Sequence, residues 1–300
     1  MPEPASGCLL IRMQVSGICG TDKHTYQGFT GQYGGDGRPR QVPFQGEVVG
    51  ILNSELQPRD VIVNAAGSLP GDLHKLWRTR DPKGYHMEYG YSCMGYEIAG
   101  GLGVKMADPT REVYVLVGDG SYLMMAQEIV TAMQESIKLN ILVLDNHGFS
   151  SIGGPSRACG SGGFGTEYRY RNNGKQIAID FVANAASLGA HAVRATTHDE
   201  LKSAIRGFRN QKTTSVVVVE TDFNDRVPGY ESWWDVAIAE VSTSPSVPEA
   251  YRNYVQAKAA RTAVLASAGR LRLGSFFVVY LRYRNRALPR ASRGGVSHGS

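Results

Sequence analysis

Hydrophobicity along this chain recurs in two periods. Runs at 61–63, 113–117, 141–144, 191–195 and 215–220 are short and mostly apolar, as in strands buried on both faces of a sheet. Between them the spacing lengthens to that of a helix. Val48, Ile51, Leu52 and Leu56 fall on one helical face, and further helices are predicted over 73–77, 93–106, 122–136, 177–188 and 200–209. Glycine and proline punctuate the alternation, with a turn predicted at Pro70-Gly71 and a long Gly- and Ser-rich loop over 147–174. Loops of that length in a compact domain are usually functional, and this one is read as a flap over a site. Strand and helix in alternation predict an α/β fold: a mostly parallel sheet with helices on both faces.

Composition supports a core and divides the chain in three. The 300 residues are 42% apolar, enough to bury one. The regular pattern occupies 45–261; residues 1–44 precede it, and 262–300 form a basic tail expected to be disordered. Between Arg261 and Ser300 there are eight arginines and no acid, so that stretch supplies +8 of a net +5 and leaves −3 on the rest. The basic charge is therefore read as an unstructured end, with no nucleic acid and no membrane as partner. Its apolar run at 276–281 is an aggregation hazard where exposed. Cys8, Cys19, Cys93 and Cys159 form no C-x-x-C pair, which favours a reducing compartment. The first residues lack a signal-peptide pattern and the tail's apolar run is too short to span a bilayer, so the expectation is a soluble, cytoplasmic protein.

The chemistry concentrates where two of the strands end. Asp119 stands in Val117-Gly118-Asp119-Gly120-Ser121, and Asn146 follows 27 positions later in Leu144-Asp145-Asn146-His147-Gly148. Each lies just past an apolar run, at the carboxyl end of a strand, where open α/β sheets bind ligands. A carboxylate, an amide oxygen and a backbone carbonyl, that of Gly148, suit a hard divalent cation with room left for phosphate oxygens. Gly118 and Gly120 let the backbone turn tightly and approach phosphate. N–H groups around Gly120 and Ser121 then face an anion at a helix start. His86, Glu88 and His147 are acid–base candidates near the inferred pocket. Trp233-Trp234 is read as packing against a helix or a subunit.

Further stretches extend the pattern: Ala65-Ala66-Gly67-Ser68-Leu69-Pro70-Gly71, Glu88-Tyr89-Gly90-Tyr91-Ser92-Cys93-Met94-Gly95-Tyr96-Glu97, Gly118-Asp119-Gly120-Ser121-Tyr122-Leu123 and Gly163-Phe164-Gly165-Thr166. Together they resemble the thiamine diphosphate enzymes from about residue 45 to 261. The resemblance implies a PP-type, thiamine diphosphate-binding domain with Asp119, Asn146 and the Gly148 carbonyl on Mg²⁺. It places Gly67, Ser68, Gly118, Gly120 and Ser121 about the diphosphate, the Ser92 carbonyl on the aminopyrimidine, and Met94 against the two rings. Within the family these stretches look most like the hydrolases of inositol catabolism, which implies opening of a C–C bond in a cyclic trihydroxy-1,2-dione.

Family members of this type build each site from two domains, usually on different subunits. A homo-oligomer such as a dimer, or a partner supplying a pyrimidine-binding domain, is therefore expected beside the small-molecule substrate. No stretch here matches that second domain, so the chain alone is expected to bind cofactor weakly and turn over little or nothing. Two alternatives stay open: an acetolactate synthase-like carboligase, or a non-catalytic subunit that pairs with an intact paralogue.

Residues 1–44 resemble something else. Gly17-Ile18-Cys19-Gly20-Thr21-Asp22-Lys23-His24 is similar to the catalytic-zinc segment of medium-chain alcohol and sorbitol dehydrogenases. A zinc site needs three or four ligands. The Gly-His-Glu that follows in that family is replaced here by Gln45-Gly46-Glu47, so Cys19 reads as an orphan. The expectation is a junction near Phe44 between two unrelated pieces.

Overall fold

Six parallel strands form one sheet: β1 (Val61–Asn64), β2 (Tyr85–Met87), β3 (Val113–Gly118), β4 (Asn140–Asp145), β5 (His191–Ala195) and β6 (Ser215–Glu220), in the order β2-β1-β3-β4-β6-β5. The computed structural model describes residues 43–88, 90–163, 165–222, 227 and 236–268. The chain forms two compact units, Met1–Trp234 and Asp235–Ser300, and the sheet lies in the first. The zinc-like segment with Cys19, Thr21 and His24, the Trp233-Trp234 pair and the apolar run at 276–281 lie outside the described residues.

Nearly every residue of β1, β3, β4 and β6 is buried, because helices cover both faces and alternate side chains enter two separate cores. Ile62, Tyr114, Leu116, Leu142, Leu144, Val217 and Val219 pack beneath α1 (Gln45–Glu55), α2 (Leu69–Leu76) and α8 (His198–Phe208). Val61, Val63, Val115, Val117, Ile141, Val143 and Val218 pack beneath α3 (Tyr96–Ala107), α4 (Asp119–Met125), α5 (Glu128–Gln134) and α7 (Phe181–Ser187). This is the predicted two-faced architecture. The helical stripe of Val48, Ile51, Leu52 and Leu56 is buried as its spacing implies.

Several predicted boundaries change. The Pro70-Gly71 turn is instead the first turn of α2, where proline has no intrahelical bond to lose. The helix predicted over 93–106 starts at Tyr96, because Gly95 adopts φ +90° and serves as its N-cap. The stretch over 122–136 is two short helices. The long loop contains α6 (Ser150–Ala158), with Gly153, Gly154 and Pro155 inside it. Ile177 is not helical: its N–H bonds to the Tyr168 carbonyl, and α7 begins only after Asp180, whose carboxylate caps Val182 and Ala183. The edge strand β2 has no counterpart in the hydrophobic pattern.

In the second unit, α9 (Ser246–Ala268) extends into the piece expected as a disordered tail. Among the described residues, no helix is long and apolar enough to cross a membrane.

Sheet order places the site. From β1 the chain crosses through α2 to β2 on one side, then returns through α3 to β3 on the other. Connections leaving β1 and β3 therefore diverge at their carboxyl ends and open a crevice between them, as at a topological switch point.

Candidate functional site

A cleft of about 280 Å³ occupies that crevice. The segment after β1 lines it with Gly67 and Ser68, and the segment before α3 with Ser92 and Met94. The β3–α4 junction adds Gly118, Asp119, Gly120 and Ser121, and the segment after β4 adds Asn146 and Gly148. Every cofactor and metal position inferred from sequence thus faces one space, although they come from four separate segments. Met94 precedes α3 and is half-buried against the cleft, so it is not a core methionine on a helix.

Left-handed backbone recurs in the segments that form the cleft, as well as at Ser136 away from it. Ser92 and His147 hold φ of 53° and 63°, and Gly67, Gly95 and Gly148 hold 90°, 90° and 148°. Left-handed backbone at non-glycine positions is uncommon and clusters at functional sites. Gly148 is sterically required: a Cβ there would run into the Thr166 carbonyl oxygen. Gly118, by contrast, has an ordinary extended backbone (φ −73°, ψ 154°), so the tight turn predicted for it is not its role. With nothing within 4 Å of where a Cβ would stand, it leaves the cleft open.

The electrostatics favour a cation. Asp119 is 1% exposed and accepts from the Gly120 N–H at 2.9 Å and the Gly148 N–H at 2.8 Å. Burial, then the neighbouring Asp145 charge, pushes its carboxyl well above the usual range, and the two N–H groups offset only part of this. No lysine or arginine among the described residues pairs with it. Asn146 lines the same cleft, and its Oδ1 is buried with no hydrogen-bond partner, an arrangement proteins rarely tolerate unless a ligand completes it. A desolvated carboxylate and an orphaned amide oxygen in one cleft fit a hard cation that takes oxygen ligands. Among the described residues no three His, Cys, Asp or Glu side chains converge on a metal position, so such a cation would need backbone and ligand oxygens as well.

The three acid–base candidates do not line this cleft. His86 sits on β2, with its Nε2 2.7 Å from the Tyr96 hydroxyl and its ring stacked on that side chain. Glu88 accepts from the Cys93 N–H at 2.7 Å and the Tyr91 N–H at 3.2 Å, which hold its carboxyl below the ordinary range and tie the Ser92 turn to β2. His147 points the other way, with Nδ1 3.2 Å from Asp145 and Nε2 2.8 Å from Glu220. Hydrogen bonding to Asp145 outweighs its partial burial, and with Glu220 lifts the imidazole to about 9. That pairing leaves His147 cationic at neutral pH and keeps the Asp145 charge in place, despite burial, below the usual carboxylate range.

Two contributors escape the sequence reading. Gln45, at the start of α1, lines the cleft, accepts from the Ser68 hydroxyl at 3.0 Å and donates to Asp72 at 2.6 Å. Glu97 is fully buried on α3 and bonds to Ala66, Gly95 and Ser121. The available signal is a lone acid in Ile98-Ala99-Gly100-Gly101-Leu102 surroundings, since a buried charge is rarely kept without partners.

Comparison with known proteins identifies the family. The thiamine pyrophosphate enzyme, C-terminal TPP binding domain, matches residues 65–219. Over 217 residues, 70% of the chain, the sequence is 48% identical to 3D-(3,5/4)-trihydroxycyclohexane-1,2-dione hydrolase 2 of Bacillus cereus and 46% identical to hydrolase 1 of the same organism. The chain spans 34% of the length of each of these relatives. Among solved structures, benzoylformate decarboxylase from Polynucleobacter necessarius superposes with a TM-score of 0.56 at 21% identity, over 65% of this chain and 36% of that one. At that identity the likeness speaks for the fold alone.

Proposed function

The chain belongs to the thiamine pyrophosphate enzymes, whose C-terminal cofactor-binding domain it carries, and from that premise we propose that the cleft holds the diphosphate end of thiamine diphosphate through Mg²⁺. The observation that carries the metal is the pairing of buried Asp119 with the orphaned Asn146 Oδ1. Asp119, Asn146 and the Gly148 carbonyl would hold the metal beside the diphosphate. Gly67, Ser68, Gly118, Gly120 and Ser121 surround the diphosphate, while Ser92 and Met94 meet the rings. Bound thiamine diphosphate supplies carbanion stabilisation at a carbonyl carbon.

The reaction we assign is hydrolysis of a C–C bond in a cyclic trihydroxy-1,2-dione, a step of inositol catabolism. Support comes from the names of the relatives at 46–48% identity and from the family match, which runs through every segment that lines the cleft after Gln45. Those relatives are much longer, and we place catalysis in an assembly: a second copy or a partner supplies the surface that holds the pyrimidine end. This chain's own part is to bind and orient the cofactor and to hold the metal. His86, Glu88 and His147, being committed to other contacts, are not assigned as acid or base here.

Calorimetric titration of thiamine diphosphate into the chain tests this, with Mg²⁺ and then with excess chelator. Saturable binding that disappears with the metal is expected. Binding that ignores Mg²⁺, or no binding at millimolar cofactor, would sink the proposal. Assaying the cyclic dione against 2-keto acids, with and without a full-length relative as partner, separates the hydrolase from a carboligase and from a non-catalytic subunit.

A further inference from the structure

Three segments that reach the cleft from different elements, the end of β1, the start of α3 and the start of α4, are joined by one side chain. Glu97 Oε1 accepts from the Ala66 N–H at 3.2 Å. Its Oε2 accepts from the Gly95 N–H at 3.1 Å and from the Ser121 hydroxyl at 2.7 Å. Ser121 Oγ in turn accepts from the Gly95 N–H at 2.7 Å, which closes a small triangle behind the cleft wall. Resting on the cofactor reading above, we propose that Glu97 is a positioning residue: its carboxylate sets the register of these three segments so that their backbone closes on the diphosphate.

The geometry demands an acid. Each partner donates, and an ionised carboxylate accepts at both ends, whereas an amide of the same shape carries an NH₂ at one of them. Glutamine here would turn a buried donor toward the Ala66 N–H, or toward Gly95 and Ser121, and one segment would come loose. Holding this charge is costly. Burial pushes the Glu97 carboxyl upward, and the Ser121 hydroxyl and backbone N–H groups offset only part of that. An aliphatic side chain would avoid the cost of burying a charge, so the charge is retained for what it bonds. The network also sets what Ser121 offers a ligand: with its hydroxyl hydrogen turned to Glu97, it meets the cleft through its backbone and not as a hydroxyl donor.

The test compares Glu97→Gln, equal in shape but bearing a donor, with Glu97→Asp, shorter but acceptor-only. Both are made in the full chain and titrated with Mg²⁺ and thiamine diphosphate, with amide hydrogen exchange followed at Ala66 and Gly95. Glu97→Gln is expected to weaken binding about tenfold, the size of one buried bond lost, with faster exchange at one or both amides. Glu97→Asp is expected to bind more tightly than Glu97→Gln, the reverse of the order that side-chain volume alone would produce. Wild-type affinity in Glu97→Gln, or Glu97→Asp as the weaker binder, overturns the proposal. If Glu97→Gln does not fold, Glu97→Asp decides against wild type: affinity and amide protection retained together or lost together support the role, and either one changing alone overturns it. Failure of the wild-type chain to bind at all sinks the cofactor reading and this inference with it. Binding by wild type with no loss in Glu97→Gln sinks this inference alone.

Discussion

Asp119 and Asn146 follow β3 and β4, two paired strands whose carboxyl ends bring both side chains to one cleft. Their chemistry follows from burial. Removing the charged ligand should cost most: Asp119→Ala is expected to weaken Mg²⁺-dependent binding of thiamine diphosphate by at least about 100-fold, and Asn146→Ala by about tenfold. Calorimetry showing unchanged affinity in both would refute the metal assignment. At Gly148 the constraint is steric, with φ 148° and the Thr166 carbonyl in the way of any side chain. Gly148→Ala should therefore destabilise the fold by more than about 1 kcal/mol, read as a lower denaturation midpoint, and should also impair binding. Glu97 is not legible. A single acid among small apolar residues has no spacing partner in sequence, and its three partners lie 2, 24 and 31 positions away.

At the scale of elements, local signals fix a boundary where packing agrees with them. Helix α8, predicted over 200–209, runs His198–Phe208 instead, because a capping box fixes its start: Thr197 accepts from the Glu200 N–H while Glu200 reaches back to the Thr197 N–H. Thr197→Ala should lower stability by about 1 kcal/mol in urea titration. It should leave cofactor affinity unchanged, because α8 packs on the sheet face and contributes nothing to the cleft; a change in affinity would mean that the two faces are coupled. Helix α6 is the opposite case. Its Gly153, Gly154 and Pro155 are poor helix formers, which is why the sequence predicts a loop. Tertiary contacts override them: the Phe149 N–H bonds to the Thr166 carbonyl at 2.8 Å, Gly153 packs against Thr166, and Arg157 reaches Glu167 at 3.4 Å. The flap reading keeps part of its content, since Phe149, Ser150, Ser151 and Ile152 line the cleft.

For the whole molecule, the buried Asp119 charge means that the cofactor and the fold should stabilise each other. A ligand that binds only the folded chain adds about 2.7 kcal/mol at about 100 times its dissociation constant. Thiamine diphosphate with Mg²⁺ should accordingly raise the thermal midpoint, and chelator should reverse the rise. Either component alone should do much less; an equal shift from Mg²⁺ alone would point to a metal site independent of diphosphate. The α/β class, the two-faced burial of the strands and the identity of the residues at their carboxyl ends are readable from the residues alone, because hydrophobic period and strand-end position are local properties. It takes the folded chain to make β1 and β3 neighbours with connections leaving in opposite directions, to turn His86, Glu88 and His147 to other partners, and to bring three segments to Glu97. Those outcomes depend on strand order and on side chains meeting across long stretches of chain, which no local pattern encodes.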